Sequence, residues 1–510
     1  EAQAPQPQRP TPPAGPAIVL RGVALEGATA LTAADLAPLW AGLIGSEVDL
    51  AALEGLAERI GAAYRARGFV LTQAILPPQS VEDGIVRLQV IEGFIDRTTV
   101  EGGAPNQTEA VARRFAPVTG ARPMRLQTLE RAVLLSRDLL GGGVETVLEP
   151  SPDTFAAADL TVALAPPPPA GFASADNRGS RLYGEGSFAV GGVAHNLLGL
   201  NERLEFLGAG AFDSSLGYVR GLAAFPLSRL DGTWLDGTML ELEADYADGE
   251  PDLRRAGGPS GQTLTTKETN LRVALRTPFI RTRAQNLYGH VALDWQDSEN
   301  VTAFGRDAIS ETDRLLVFEA GMEWDRADRF GGVTLVEARL RQGIDASDTF
   351  VGGGTSSGVP DFTLVAARAA RLQRLGAGPF ALWLEAIGQY AGNVLPNSER
   401  FALGDATIGR GFAPGNTTGD SGYGGRVELR RTVGPDGMRG LGEAAEFYAY
   451  GDYGQAYDRD GDRDGVRWEP IGSAGIGVRW DVRPWLTITP EVARQLDGRA
   501  TDTRDTDFET

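Results

Sequence analysis

The sequence predicts a membrane-spanning antiparallel β-barrel of about 16 strands, preceded by two small α+β domains. Three observations lead there. From Gly171 onward the chain breaks into alternating segments, mostly of about eight to twelve residues, separated by Gly, Asp and Asn turns. Residues 18–165 instead mix helical spacing with short β-rich runs. The composition has 67 glycines, 42% apolar residues and no run of 18 apolar residues, which excludes a helical membrane protein. It does not exclude a barrel, where lipid-facing residues alternate with lumen-facing ones.

Composition also narrows the chemistry. A net charge of −20 argues against nucleic acid, whose phosphates need clustered cations. With no cysteine there is no disulfide, thiolate zinc site or cysteine nucleophile, which suits passage through an oxidising compartment. The two histidines, His195 and His290, have no GxSxG or HExxH companion, so the sequence calls for no enzyme, metal or cofactor. In the run 458–465, Asp460, Asp462, Asp464 and Gly465 satisfy the first half of a calcium loop. Its twelfth position is Ile471 rather than Glu, and the run reads as a solvated turn.

Taken in order, residues 1–17 are a Pro-rich tether, with prolines from Pro5 to Pro16 too close together for a helix. Residues 18–95 read β-α-α-β-β: a strand Ile18–Val23, a short helix from Thr32 to Leu39, and a longer one from Leu50 to Arg67. Leu53, Leu56, Ile60 and Tyr64 give the long helix its apolar stripe, and Gly68 stops it. The runs Phe69–Leu76 and Ile85–Gly93 would pair as a hairpin. Residues 96–165 repeat the plan with a strand Thr98–Glu101, helices Thr108–Phe115 and Leu126–Leu140, and strands Val144–Glu149 and Asp159–Leu164. Pro166–Pro169 opens a stiff hinge, 166–170, and a barrel region, 171–510, follows.

That region offers fourteen candidate strands: Ser180–Val190, Arg203–Ala211, Leu216–Ala224, Thr238–Tyr246, Leu271–Arg276, Asn286–Trp295, Leu315–Trp324, Gly332–Leu340, Phe362–Leu372, Phe380–Ala391, Gly425–Arg431, Ala444–Tyr453, Ala474–Trp480 and Trp485–Arg494. On the residues alone, a soluble β-sandwich or solenoid is the alternative. Between two of these strands lies a long glycine-punctuated loop, 403–424, that holds Arg410 between glycines and beside Phe412. The strand after it puts Val427 and Leu429 on one face and Arg426, Glu428 and Arg430 on the other. Further on, Asp452 is the single carboxylate in the aromatic strand Phe447–Gly454.

Arg410-Gly411-Phe412 together with Asp452 resembles the paired motifs of the two-partner secretion transporters, the haemolysin-activator and filamentous-haemagglutinin transporter family. Many relatives have Val or Ile before the Arg, where this chain has Gly409 after Ile408. RGFVLTQAILPPQSVEDGIVRLQVIEGFI at residues 67–95 resembles that family's first periplasmic POTRA domain, and residues 96–165 resemble a second. The resemblance decides for the barrel. It implies an outer-membrane protein with periplasmic POTRA domains, and a loop 403–424 folded back into the lumen with Arg410 pairing Asp452 on the wall. It further implies a large secreted exoprotein as partner, moved without ATP, with lipid around the barrel and the barrel assembly machinery acting during biogenesis. Client capture would fall on the first POTRA hairpin, at Phe69, Gln73, Ile75, Leu88 and Glu92. A barrel-assembly factor is the main rival, disfavoured because the chain has room for two POTRA domains; a porin or receptor would need none. Two departures from the family are expected: residues 1–17 cannot form the lumen-plugging helix, which is either absent or precedes this sequence, and the closing strand after Trp485–Arg494 is missing or short, through truncation or an unusual closure.

Overall fold

The computed structural model describes residues 17–180, 182–230, 233–256, 261–305, 307–346, 350–352, 358–438, 442–459 and 467–498. The tether up to residue 16, positions 460–465 of the acidic run and the stretch 499–510 lie outside the described residues. The chain divides into two compact units, Glu1–Pro166 and Pro167–Thr510.

In the first unit, Thr32 caps a one-turn helix, Ala33–Leu36, in a capping box with Asp35, and a 3-10 turn continues to Leu39. Asp49 caps helix Leu50–Ala66 by accepting from the Ala52 N–H (2.8 Å), and Gly68 leaves it at φ +91°. Leu53, Leu56, Ile60 and Tyr64 are buried against Val86, Leu88 and Val90 on strand Ile85–Ile91. That strand lies between Gly22–Glu26, parallel to it, and Gln73–Ile75, antiparallel, so Gln73–Ile75 is a sheet edge.

The expected hairpin is therefore shorter than its sequence run. Phe69 donates its N–H to Tyr64 O and Thr72 donates to Phe69 O, which turns the chain under the helix before strand geometry begins. Phe69 is 3% exposed, packed edge-on to Tyr64 and beneath Arg125, and Leu88 is fully buried. Neither is open to a client, because the alternation Val86, Leu88, Val90 faces the helix. Gln73 and Ile75 are exposed on the edge strand.

Glu92 is also committed internally. Its carboxylate accepts from the Thr29 and Ala30 N–H groups (2.8 Å each), the Thr29 hydroxyl and the Tyr64 hydroxyl (2.9 Å). Burial opposes its ionisation, but the bonds from Ala30, Thr29 and Tyr64 outweigh burial and hold the carboxyl below the usual carboxylate range. A depressed folded pKa adds stability that is present above the unfolded value near 4.3 and is lost as pH falls through the folded one. Glu92→Gln should thus cost about 1 kcal/mol at pH 7, after allowing for solvent screening, with the gap closing under acid. Amide exchange of Leu50–Ala66 in the full-length protein, corrected for intrinsic rates, measures it; a pH-independent difference would reject the assignment.

The second half of this unit sets helices Pro105–Gly120 and Leu126–Leu140 on a sheet ordered Phe94–Gly102, Ala157–Leu164, Val144–Pro150. Ile95, Val111, Phe115, Leu129, Leu140 and Leu160 fill its core, and Gly141 ends the second helix at φ +76°.

The second unit is one antiparallel sheet in barrel order, whose ladders run from Ala170–Asp176 to Glu491–Asp497. It contains seventeen strand segments among the described residues. Phe350–Gly352 and Leu486–Ile488 each share a partner strand with a longer neighbour, which leaves fifteen long strands, close to the expected number. Parity sets the faces: Leu271, Val273, Leu275, Val291 and Leu293 point outward and exposed, while Arg272, Asp294 and Glu319 turn inward. Ala170–Asp176 opens the sheet upstream of the expected first strand. Strands Gln262–Arg281, Gln285–Phe304 and Asp307–Ala327 are 20, 20 and 21 residues long, about twice the expected length.

Candidate functional site

The loop between strands Phe380–Ala391 and Ser421–Val433 builds the site. Its two limbs pair as Phe401–Leu403 with Thr417–Gly419. Between them Gly404 donates to Ile408 O (3.0 Å) and Gly415 donates to Gly404 O (2.9 Å), so the tip closes on itself. Gly409 sits at φ +82°, and a Cβ there would meet Ile471 at 2.8 Å, so a β-branched side chain would not fit. Phe401, Leu403, Ile408 and Phe412 are buried with Ala456 and Ile471 of the wall. Gly422 makes room for this cluster, since a Cβ there would lie 2.2 Å from the Phe401 ring.

Arg410 is 6% exposed in its side chain. Its Nη1 lies 3.0 Å from Glu491, its Nη2 lies 3.2 Å from Glu428, and Nε donates to Ala406 O (2.9 Å). The guanidinium also stacks over Tyr450, 4.4 Å from the ring centre, while the Tyr448 hydroxyl donates to Glu491 (2.6 Å). Both carboxylates have further cations: Glu428 takes Arg430 (2.8 Å) and Arg479 (3.0 Å), and Glu491 takes Arg178 (3.0 Å).

Asp452 meets the motif differently from the expectation. It accepts from the Gly409 N–H (2.9 Å), the Ser473 N–H (3.1 Å) and the Ser473 hydroxyl (2.9 and 2.8 Å). The expected Arg410–Asp452 ion pair is thus replaced by a clasp on the backbone of the turn, and the guanidinium goes to Glu428 and Glu491. The physical reason is placement: the turn presents its Gly409 N–H to Asp452, while the guanidinium reaches past it to Glu428 and Glu491. Gly411 and Phe412 stay with the tip, Gly411 O accepting from Gln495 (2.7 Å) and Phe412 anchoring the apolar cluster. Glu428 and Glu491 escaped the sequence reading. The inward parity of Glu428 beside Arg426 and Arg430 was legible, but the partner across the lumen was not.

Elsewhere the lumen wall is lined by paired charges: Arg220–Glu243 (2.8 Å), Arg276–Glu323 (2.7 Å) and Arg368–Glu385 (2.8 Å). All of these but Glu385 line an open polar cavity of about 730 Å³ that also reaches Gln389 and Arg400 at the root of the loop.

Residues 18–93 match the ShlB-type POTRA domain, and residues 160–480 match the haemolysin secretion/activation protein ShlB/FhaC/HecB family. The heme/hemopexin transporter protein HuxB of Haemophilus influenzae is 23% identical over 481 residues, which cover 91% of this chain and 80% of that protein. The structure of CdiB from Escherichia coli superposes with a TM-score of 0.76 at 18% identity, over 97% of this chain and 89% of that one. BamA from Haemophilus ducreyi, lacking its POTRA domains 1–3, shares the fold at a TM-score of 0.51 and 15% identity, over 90% and 92% of the two chains. This chain belongs to the haemolysin secretion/activation (ShlB/FhaC/HecB) family, the two-partner secretion transporters of the outer membrane, with its POTRA domains in the periplasm.

Proposed function

We propose that the chain captures one unfolded exoprotein as an added strand on the Gln73–Ile75 edge and passes it through the lumen, with the loop 403–424 as the movable part of the pathway. The observation that carries this is the lumen itself. Its charges are already paired with one another, so the wall is polar and wettable yet offers a passing chain no strong site at which to stall. An exposed edge with free backbone groups suits an extended segment of any sequence. Folding outside supplies direction, so no ATP is required. Lipid surrounds the outward apolar rows, and the barrel assembly machinery inserts them.

Proteomics of medium and outer membrane tests the reading, comparing a strain lacking the protein with one restored. Loss of a single large exoprotein from the medium, with the membrane unchanged, supports it. Loss of many barrels from the membrane would make the chain an assembly factor, and no change would leave a porin or receptor. For the edge strand, Ile75→Asp should weaken binding of the exoprotein's N-terminal region roughly tenfold, since a charge replaces an exposed apolar contact. Unchanged affinity, measured by titration against the full-length transporter, would move capture elsewhere.

A further inference from the structure

We propose that Glu399 is a second, releasable mooring of the pore loop, so that the loop leaves the lumen only when Glu399 lets go of Arg341 and Arg410 lets go of its wall. This deepens the transport reading and rests on it. Glu399 ends the 3-10 turn Asn397–Glu399, in the limb that enters the lumen after strand Phe380–Ala391. Its carboxylate accepts from Arg341 Nε (2.9 Å) and Nη2 (2.6 Å) and from Gln296 Nε2 (3.0 Å). Arg341 also gives Nη1 to Asp294 (2.8 Å) and Glu319 (2.7 Å). The Asn397 N–H also donates to the Asp313 carboxylate of the wall (3.0 Å). These partners lie on Gln285–Phe304, Asp307–Ala327 and Gly332–Gly343, a different arc of wall from the strands that hold Arg410.

Charge balance points to release. With Glu399 gone, Arg272 and Arg341 still face Asp294 and Glu319, two against two when His290 is neutral. With Arg410 gone, Arg178, Arg430 and Arg479 still face Glu428, Glu446 and Glu491, three against three. Breaking a buried ion pair is costly mainly because it strands a charge, and neither wall cluster is left with one. The departing Glu399 and Arg410 regain water. Glu399 and Arg410 are thus guests on wall clusters that are neutral without them.

Single-channel recording of the full-length protein in planar bilayers tests this with Glu399→Gln, Arg410→Ala and the pair together. Each single change should raise the open-to-closed ratio about tenfold, the loss of one charge-assisted site, and the double change about a hundredfold because the moorings act in series. Heat-modifiable gel mobility checks that each barrel has folded. Gln296→Cys with Glu399→Cys introduces the only two thiols, and a cleavable bismaleimide joining them should keep the channel silent and stop export until it is cut. Wild-type conductance for Glu399→Gln in both backgrounds, or an open channel with the link intact, would overturn the proposal. Conductance needs no client, so its outcome is separate from the export assay that tests the transport reading.

Discussion

Export of the partner exoprotein is expected to fall more than tenfold in an Arg410→Ala variant whose barrel is inserted in normal amounts. The guanidinium donates to Glu491 and Ala406 O and sits 3.2 Å from the Glu428 carboxylate inside a nearly dry site, where a charge-assisted bond is worth about 2–3 kcal/mol. The barrel ladders do not depend on it, because each strand pairs with its neighbours through backbone groups. What Arg410 fixes is position: it picks one place for a tip that apolar packing alone would hold loosely. Without it the pore leaks small ions and its inner wall is misplaced for the passing chain. Exoprotein in the medium and heat-modifiable mobility of the barrel separate these effects; loss of the barrel itself would make Arg410 a folding residue.

Asp452 gives the second large effect, and the replacement chosen decides its meaning. Asp452→Ala leaves the Gly409 N–H, the Ser473 N–H and the Ser473 hydroxyl without their acceptor in a buried place, at a cost of about 3 kcal/mol. Export should fall about as far as in Arg410→Ala. Asp452→Asn keeps a carbonyl oxygen for the Gly409 N–H and should retain most of the export. An ion-pair role would predict a large loss from both replacements, since neither Asn nor Ala carries the charge that pairs a guanidinium. Equal damage from both replacements would restore the Arg410–Asp452 pair.

The sequence made the barrel legible where one face meets lipid. Arg203–Ala211 and Phe380–Ala391 have the expected bounds, because each is an apolar-rich run with large side chains on its lipid face and turn residues close by. It failed where both faces are wet. Of Gln262–Arg281 only Leu271–Arg276 was visible, since Thr263 to Asn270 is polar at every position but Leu264 and shows no period. In the POTRA sheet alternation marked Leu88 as core, and the expectation of client contact there misread a buried row as a free one. At the pore loop the glycines and Phe412 announced a tight, packed turn. Which carboxylate each arginine finds is not legible, because 68 acidic residues leave the choice to the register and curvature of the sheet.

The three long strands have a consequence for where a client first meets the outside. The first barrel strand runs outward from the periplasm, so by alternation Gln285–Phe304, the seventh, also runs outward and its Phe304 end is external. Twenty residues at about 3.3 Å each, inclined by about 45°, rise roughly 45 Å, well above a hydrocarbon layer of about 30 Å or less. Among the described residues these three strands therefore form the tallest part of the wall. A chain leaving the lumen beside these strands would still have a polar wall at its side above the level of the lipid head groups.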